Sequence, residues 1–325
     1  MGDVEVLAID GGDAATAMAH GGLPATLSVA TAARITARLV GAVARRVHAW
    51  DALVTHWLVP CGLIGMLAAR SRYHLTIAHG SDVALLHRLP AGRALAKRLG
   101  RRSDLVYVAE SLRIDGAPGR VISMPPEHEV EAITPTERAR ARRDLGLGSE
   151  RVALFLGRLV PEKGLDLLLE ALPANVRLLV AGDGPERARL EGRSSQATFL
   201  GPRFGADKRA LFAAADVLVV PSRRDGSPTV VAEARQLGVP VLATRVGGLP
   251  AAVGERGIVC DPTPAALSAA LHHLMMEPRS FGSTSTVRGW EEVGPELWRG
   301  PRESHDNNAR RTPRLDVFRY ASTGK

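Results

Sequence analysis

The residues best placed for chemistry lie in four loops of the second half of the chain. Leu156-Gly-Arg158-Leu-Val-Pro-Glu-Lys163-Gly164 puts an arginine and a lysine between an apolar run and a helical pattern. Two fixed cations beside a helix start suit a diphosphate, although such a pair alone also reads as solvated surface. Val180-Ala-Gly182-Asp-Gly184-Pro185 is a glycine turn after a strand. It lacks the full G-x-G-x-x-G, so it reads as a tight strand-to-helix turn rather than a dinucleotide fingerprint. Pro221-Ser-Arg-Arg-Asp225-Gly226-Ser227-Pro228-Thr229-Val-Val-Ala-Glu233 opens another helix, with Ser227 as N-cap and Pro228 in the first turn. Asp225 precedes that helix, where a carboxylate is often simple dipole complementarity. Glu233 sits on it among Val230, Val231, Ala232 and Ala234, a place where a charge demands a partner. Thr244-Arg-Val-Gly247-Gly248 is a further glycine loop that gives backbone room at the same rim.

The elements that must hold these loops are regular from Arg151 to Glu277. Apolar runs at 152–156, 176–181, 198–200, 216–220, 239–243 and 257–259 alternate with helical patterns from Leu165, Pro185, Ala206 and Pro228 and over Pro264–Met276. Strands apolar throughout, each followed by a helix, indicate a parallel sheet covered on both faces, hence a doubly wound α/β domain at 151–277. The front half, 1–130, reads as a second such domain with too few strands: 4–9, 52–55, 75–78, 105–108 and 121–125, with a helix over 31–50. Residues 131–150 read as a linker. From 278 onward little is available to bury, so a mostly disordered tail is expected, with room for a short helix over 287–298 that Gly294 and Pro295 weaken.

Composition narrows the classes. The 325 residues suit about two domains. A hydrophobic fraction of 45% with 23% charged residues excludes wholesale disorder. The formal charge is +8, yet lysine occurs only at Lys97, Lys163, Lys208 and Lys325, so arginine carries nearly all the excess. Aromatics at 4% are too few for stacking single strands, and no helix-turn-helix or zinc-finger signature accompanies the arginines, so nucleic acid is not expected as a partner. Arg34, Arg38 and Arg45 share one face of the 31–50 helix; a solvated face is favoured over peripheral contact with anionic lipid. Cys61 and Cys260 have no metal-ligand spacing and read as buried free thiols. With no signal-peptide pattern visible at Met1, a cytoplasmic location is expected, with the inner membrane face as an option.

Taken together in their order and spacing, these segments resemble the nucleotide-sugar-binding domain of GT-B glycosyltransferases of family 4, the retaining group. Asp51-Ala-Leu-Val-Thr-His56-Trp57-Leu-Val-Pro60-Cys-Gly62 and Ala78-His79-Gly80-Ser81-Asp82-Val83 resemble that family's acceptor-side domain, and Trp290 echoes its returning C-terminal helix. The resemblance implies two Rossmann-like domains, the first incomplete. It implies transfer of a sugar from a nucleotide diphosphate sugar to a hydroxyl of a glycan, glycolipid or polysaccharide precursor, lipid-linked acceptors included, with retention. No cofactor and no metal are implied. Arg158 and Lys163 resemble the pair that holds the donor diphosphate, neutralising charge as the glycosidic bond breaks. Glu233 resembles the carboxylate that accepts hydrogen bonds from the ribose. Asp225 stands where the family usually has a glutamate contacting the donor sugar. Gly226, Ser227 and Thr229 offer backbone N–H groups to phosphate or sugar, and Arg203 lies in a loop like the nucleobase pocket. His79 looks like the histidine facing the reacting sugar, a reading favoured inside His-Gly-Ser-Asp although an isolated histidine would read as structural.

Two alternatives stand beside this reading: a non-catalytic nucleotide-sugar-binding remnant and a sugar-nucleotide epimerase of the same fold. The arrangement from Arg158 to Glu233 argues against the epimerase; the remnant reading arises because the family opens with a strand, a glycine-rich loop, a helix and a second strand. Here Gly2–Ile9 already resembles a later strand, just ahead of Ala19-His-Gly-Gly-Leu-Pro24. One or two strand–helix units of about 30 residues or more are expected to be missing, and with them stability and activity.

Overall fold

A computed structural model of the chain describes residues 29–68, 73–125, 131–226, 229–254, 257–276 and 289–298. The expected 4–9 strand, the Ala19–Pro24 segment, Ser227 with Pro228, and the tail beyond 298 lie outside the described residues. Contacts divide the chain into two compact units, Met1–Ser123 with Trp290–Lys325, and Met124–Gly289.

In the first unit the helix Val29–Arg46 precedes four strands: β1 (Ala52–His56), β2 (Tyr73–Ala78), β3 (Asp104–Tyr107) and β4 (Arg120–Val121). They form one parallel sheet in the order β1-β2-β3-β4, with His56 opposite Ile77 and Ile77 opposite Val106. Parallel neighbours need crossovers. Leu63–Ala68 lies in the first, and Ser81–Arg88 with Gly92–Arg102 make the second. These last two were not singled out from sequence: Ser81–Arg88 is short, and cations surround the apolar positions of Gly92–Arg102. They are held by a few fully buried contacts, Leu86, Ala96 and Leu99 against Leu105 and Tyr107, each large side chain contributing about 1.5–3 kcal/mol.

The short helix Trp290–Leu297 belongs to this unit despite Gly294 and Pro295. Val293 is fully buried, and Trp298 meets the Tyr73 ring edge-on at 5.0 Å. Arg120, paired with Asp104 at 2.6 and 3.0 Å, donates to the carbonyls of Glu296 and Leu297. A cation at a helix C-terminus satisfies carbonyls that have no intrahelical partner.

The second unit holds six strands: β5 (Arg151–Leu156), β6 (Val176–Ala181), β7 (Ala197–Gly201), β8 (Val217–Val220), β9 (Val241–Thr244) and β10 (Ile258–Cys260). All are parallel, ordered β10-β9-β8-β5-β6-β7. Each apolar run expected as a strand is one, and Pro264–Met276 is the helix read from sequence. Two apolar clusters, one on each face of the sheet, bury Leu154, Leu218 and Val231 on one side and Phe155, Val219 and Leu271 on the other.

Residues 131–150, expected as a linker, instead carry the helix Pro135–Asp144 within this unit. Thr134 accepts from the N–H of Glu137 at 3.1 Å and Pro135 occupies the first turn. Only Ala141 of the helix is buried, so no apolar stripe announces it. Its arginines hold it instead. Arg138 reaches the Ala213 and Ala215 carbonyls, Arg142 that of Ala214, and Arg138 pairs with Asp216 at 2.7 Å.

Candidate functional site

In the second sheet the chain winds outward from β5 through β6 to β7, then returns to β8 and winds the other way through β9 to β10. The reversal falls between β5 and β8. A crevice outside the strand carboxyl ends at such a reversal is where doubly wound sheets bind ligands. The loops leaving β5 and β8 are the two that carry Arg158, Lys163 and Asp225.

Glycines let these loops touch. Gly164 ends the 3-10 turn Pro161–Lys163 at φ 66°, and a Cβ there would lie 2.0 Å from the Pro221 carbonyl. Gly247, at φ 52°, stands where a Cβ would lie 1.8 Å from the Asp225 carbonyl, which accepts the Gly248 N–H at 3.1 Å. Only glycine tolerates both the left-handed backbone and the approach.

The β5 and β8 loops are then fastened together. Glu162 accepts the Arg223 N–H at 2.7 Å, and the Arg223 guanidinium grips Asp166 through two bonds of 2.8 Å while donating to the Pro161 carbonyl. That fork holds the Asp166 carboxyl below the ordinary aspartate range, chiefly through the hydrogen bonds from Arg223. Within this frame Lys163 Nζ donates to Asp225 Oδ2 at 2.6 Å, and Ser222 Oγ donates to the same oxygen at 3.0 Å. The Asp225 side chain is 6% exposed, Lys163 24%. Thr244 Oγ1 fixes the Ser222 carbonyl at 2.5 Å. Sequence brought Lys163 and Asp225 to one rim; the structure joins them as an ion pair.

Arg158 is half-buried at the start of the β5 loop and has no hydrogen-bond or ion partner among the described residues. Glu233, on the helix Thr229–Gln236, has the partner its setting required: Lys208 Nζ lies 2.5 Å from Oε2. Lys208 was not singled out from sequence, although a lone lysine in an arginine-dominated chain was a signal. Among the described residues Arg203 donates only to the Pro202 carbonyl; Gly226 is half-buried in the loop, and Thr229 is exposed at its helix start. Ser227 lies outside the described residues. Among the described residues no three His, Cys, Asp or Glu side chains cluster as a metal site, and no helix is long and apolar enough to cross a membrane.

In the first unit, His79 follows β2, and Gly80 at φ 113° turns the chain into the helix Ser81–Arg88. The buried Asp82 carboxylate clamps this turn, accepting the N–H groups of His79 at 3.1 Å, Gly80 at 2.8 Å and Leu58 at 2.7 Å. His56, at the end of the neighbouring strand β1, places Nδ1 2.8 Å from His79 Nε2, with the ring centroids 5.0 Å apart and the planes 23° from parallel. Loss of hydration lowers both rings; His56 falls to about 4, His79 also lies low, and Asp82 pulls the latter back up.

The family model for Glycosyl transferases group 1 matches residues 150–277. A GDP-mannose-dependent alpha-(1-6)-phosphatidylinositol monomannoside mannosyltransferase of Mycolicibacterium smegmatis is 32% identical over 264 residues, 71% of this chain and 69% of that protein. A D-inositol 3-phosphate glycosyltransferase of Mycobacterium tuberculosis is 35% identical over 245 residues, 63% of this chain, which spans about half (49%) of that relative's length. Among solved structures, sucrose-phosphate synthase from Thermosynechococcus elongatus superposes with a TM-score of 0.69 at 22% identity, covering 81% of this chain and 76% of that one. Anabaena HepE in complex with UDP-glucose gives 0.67 at 20% identity, covering 81% and 80%. The fold is thus that of the α/β GT-B glycosyltransferases. With the switch-point loops, the matched model and the mycobacterial relatives in agreement, the chain belongs to the group 1 glycosyl transferases.

Proposed function

We propose that this chain binds a nucleoside diphosphate sugar at the β5/β8 crevice and transfers its sugar to a hydroxyl acceptor with retention of anomeric configuration. The observation that carries the proposal is the Lys163–Asp225 pair at the sheet's reversal, on the same β5 loop as Arg158, which has no partner among the described residues. In this reading Arg158 and Lys163 face the diphosphate, where positive charge favours the dianion that develops as the glycosidic bond breaks. Asp225 holds Lys163 in place and, with Gly226, Ser227 and Thr229, meets the sugar and phosphates. Glu233 accepts from the ribose hydroxyls once Lys208 yields, and Arg203 borders the base. The departing phosphate takes the acceptor's proton on the face it leaves, so no carboxylate nucleophile is assigned. Two arginine and lysine charges supply the neutralisation a divalent ion would otherwise provide, so the reaction is proposed to need no metal.

The relatives' names guide the choice of substrates: GDP-mannose and UDP-glucose as donors, D-inositol 3-phosphate and a phosphatidylinositol mannoside as acceptors. The test incubates each donor with each acceptor and follows the anomeric proton of the product by NMR. An α-donor giving an α-product supports retention; a β-product refutes it. A donor that raises the melting temperature of wild type but not of Glu233→Ala supports the assigned cleft. Binding without transfer or hydrolysis by any pair would overturn the enzymatic reading.

A further inference from the structure

Two histidines at adjacent strand ends share a single hydrogen bond, and its direction decides what His79 can offer a ligand. His56 Nδ1 and His79 Nε2 lie 2.8 Å apart with their rings 23° from parallel. At neutral pH both rings are uncharged, so only one proton lies between these two nitrogens. The His79 ring is held from three sides. Its backbone is clamped by Asp82, its Nε2 edge meets His56 with the two ring planes 23° from parallel, and Trp57 packs at 71° to it with centroids 6.4 Å apart. Trp57 itself is kept at φ 70°, a conformation costly for a bulky residue, and its N–H is bonded to the Ile77 carbonyl at 2.8 Å. The strand ends are thus shaped around the two rings, and His79 Nδ1 is its one ring nitrogen with no partner among the described residues.

We propose that His56 is a positioning residue: its Nδ1–H donates to His79 Nε2 and so fixes His79 in the Nδ1–H form, with Nδ1 as a hydrogen-bond donor for the ligand. The inference rests on the reading that His79 faces the reacting sugar. The direction of the bond follows from basicity. The Asp82 carboxylate, which accepts the backbone N–H groups of His79 at 3.1 Å and Gly80 at 2.8 Å, lies beside His79; its negative charge makes that ring the better acceptor and leaves His56 the donor. Among the described residues the charged group that acts on His79 is Asp82, and burial raises the Cys61 thiol, itself near Asp82, so that it stays uncharged.

Long-range proton–nitrogen NMR on the chain labelled with 15N-histidine tests this directly at pH 7.5. The expected result is a His79 spectrum with a protonated Nδ1 and a bare, deshielded Nε2. In His56→Phe the bare Nε2 signal is lost, and in His56→Asn, whose amide N–H takes the place of Nδ1–H, it returns. A wild-type His79 protonated at Nε2, or a His79 spectrum unchanged in His56→Phe, overturns the proposal; thermal melts identify a variant that fails to fold, and the wild-type spectrum decides without it. Turnover separates this from the reading beneath it. His56→Phe is expected to lower kcat roughly tenfold or more with donor KM little changed, and His56→Asn to recover most of it. If His79→Ala transfers sugar normally while the spectra stand, the role of His79 falls and the tautomer lock survives.

Discussion

Acidification tests the core of the first unit through His74. This residue is 3% exposed on β2, its Nε2 meets the hydroxyls of Thr55 at 2.9 Å and Thr76 at 3.0 Å, and its buried Nδ1 has no partner among the described residues. A Cβ on Gly65 would stand 2.4 Å from Nε2, so the ring lies against helix backbone. Desolvation alone pushes this imidazole from 6.5 to about 4. The unfolded chain takes up the proton below pH 6.5, the folded chain only near pH 4. Stability from this group is therefore full above pH 6.5 and is lost as pH falls through that window. The gap is worth about 3.4 kcal/mol in full, of which about 2 kcal/mol is lost between pH 7 and pH 5. His74→Gln keeps a polar partner for the threonines and removes the titration. The four tryptophans, Trp50, Trp57, Trp290 and Trp298, all belong to the first unit, so urea unfolding followed by their fluorescence reports this unit separately. Wild type is expected to lose about 2 kcal/mol more than His74→Gln between pH 7 and pH 5. An equal loss in both proteins would refute the assignment.

Other expectations concern the crevice. Lys163→Ala removes the cation proposed to face the diphosphate and leaves the Asp225 carboxylate with Ser222 as its side-chain partner among the described residues, so kcat is expected to fall about 100-fold or more in a donor-turnover assay; wild-type turnover would remove Lys163 from the site. Gly247→Ala drives a Cβ into the Asp225 carbonyl at a left-handed position. It is expected to cost about 2 kcal/mol or more in denaturant unfolding and to weaken donor binding. Arg223→Ala loosens the β5 loop; with that side chain 39% exposed, its stability cost is about 1 kcal/mol or less, and the larger effect is expected in donor KM. Turnover is expected to be unchanged by EDTA, and a loss restored by a divalent ion would overturn the metal-independent reading.

Several features were legible in the sequence because they obey local rules. Continuous apolar runs such as Val176–Ala181 need cover on both faces, so they announced a parallel sheet wherever helices followed. The helix Pro135–Asp144 escaped because it is held by arginines donating to carbonyls more than 70 residues away, not by an apolar stripe. Helix Gly92–Arg102 escaped for a related reason: its cations hide the few buried positions. The partners of the site residues were equally out of reach. Lys208 with Glu233, Lys163 with Asp225 and His56 with His79 are separated along the chain by whole strands and helices.

What the chain's residues determined alone is the alternation of strands and helices, the glycines that turn them, and the types of charge at the rim. These follow from hydrophobic period and backbone freedom, which act over a few neighbours. Which charges meet was decided only by tertiary structure. The sheet reverses between β5 and β8, and that reversal, a property of strand order, sets the lysine of one loop 2.6 Å from the aspartate of the other.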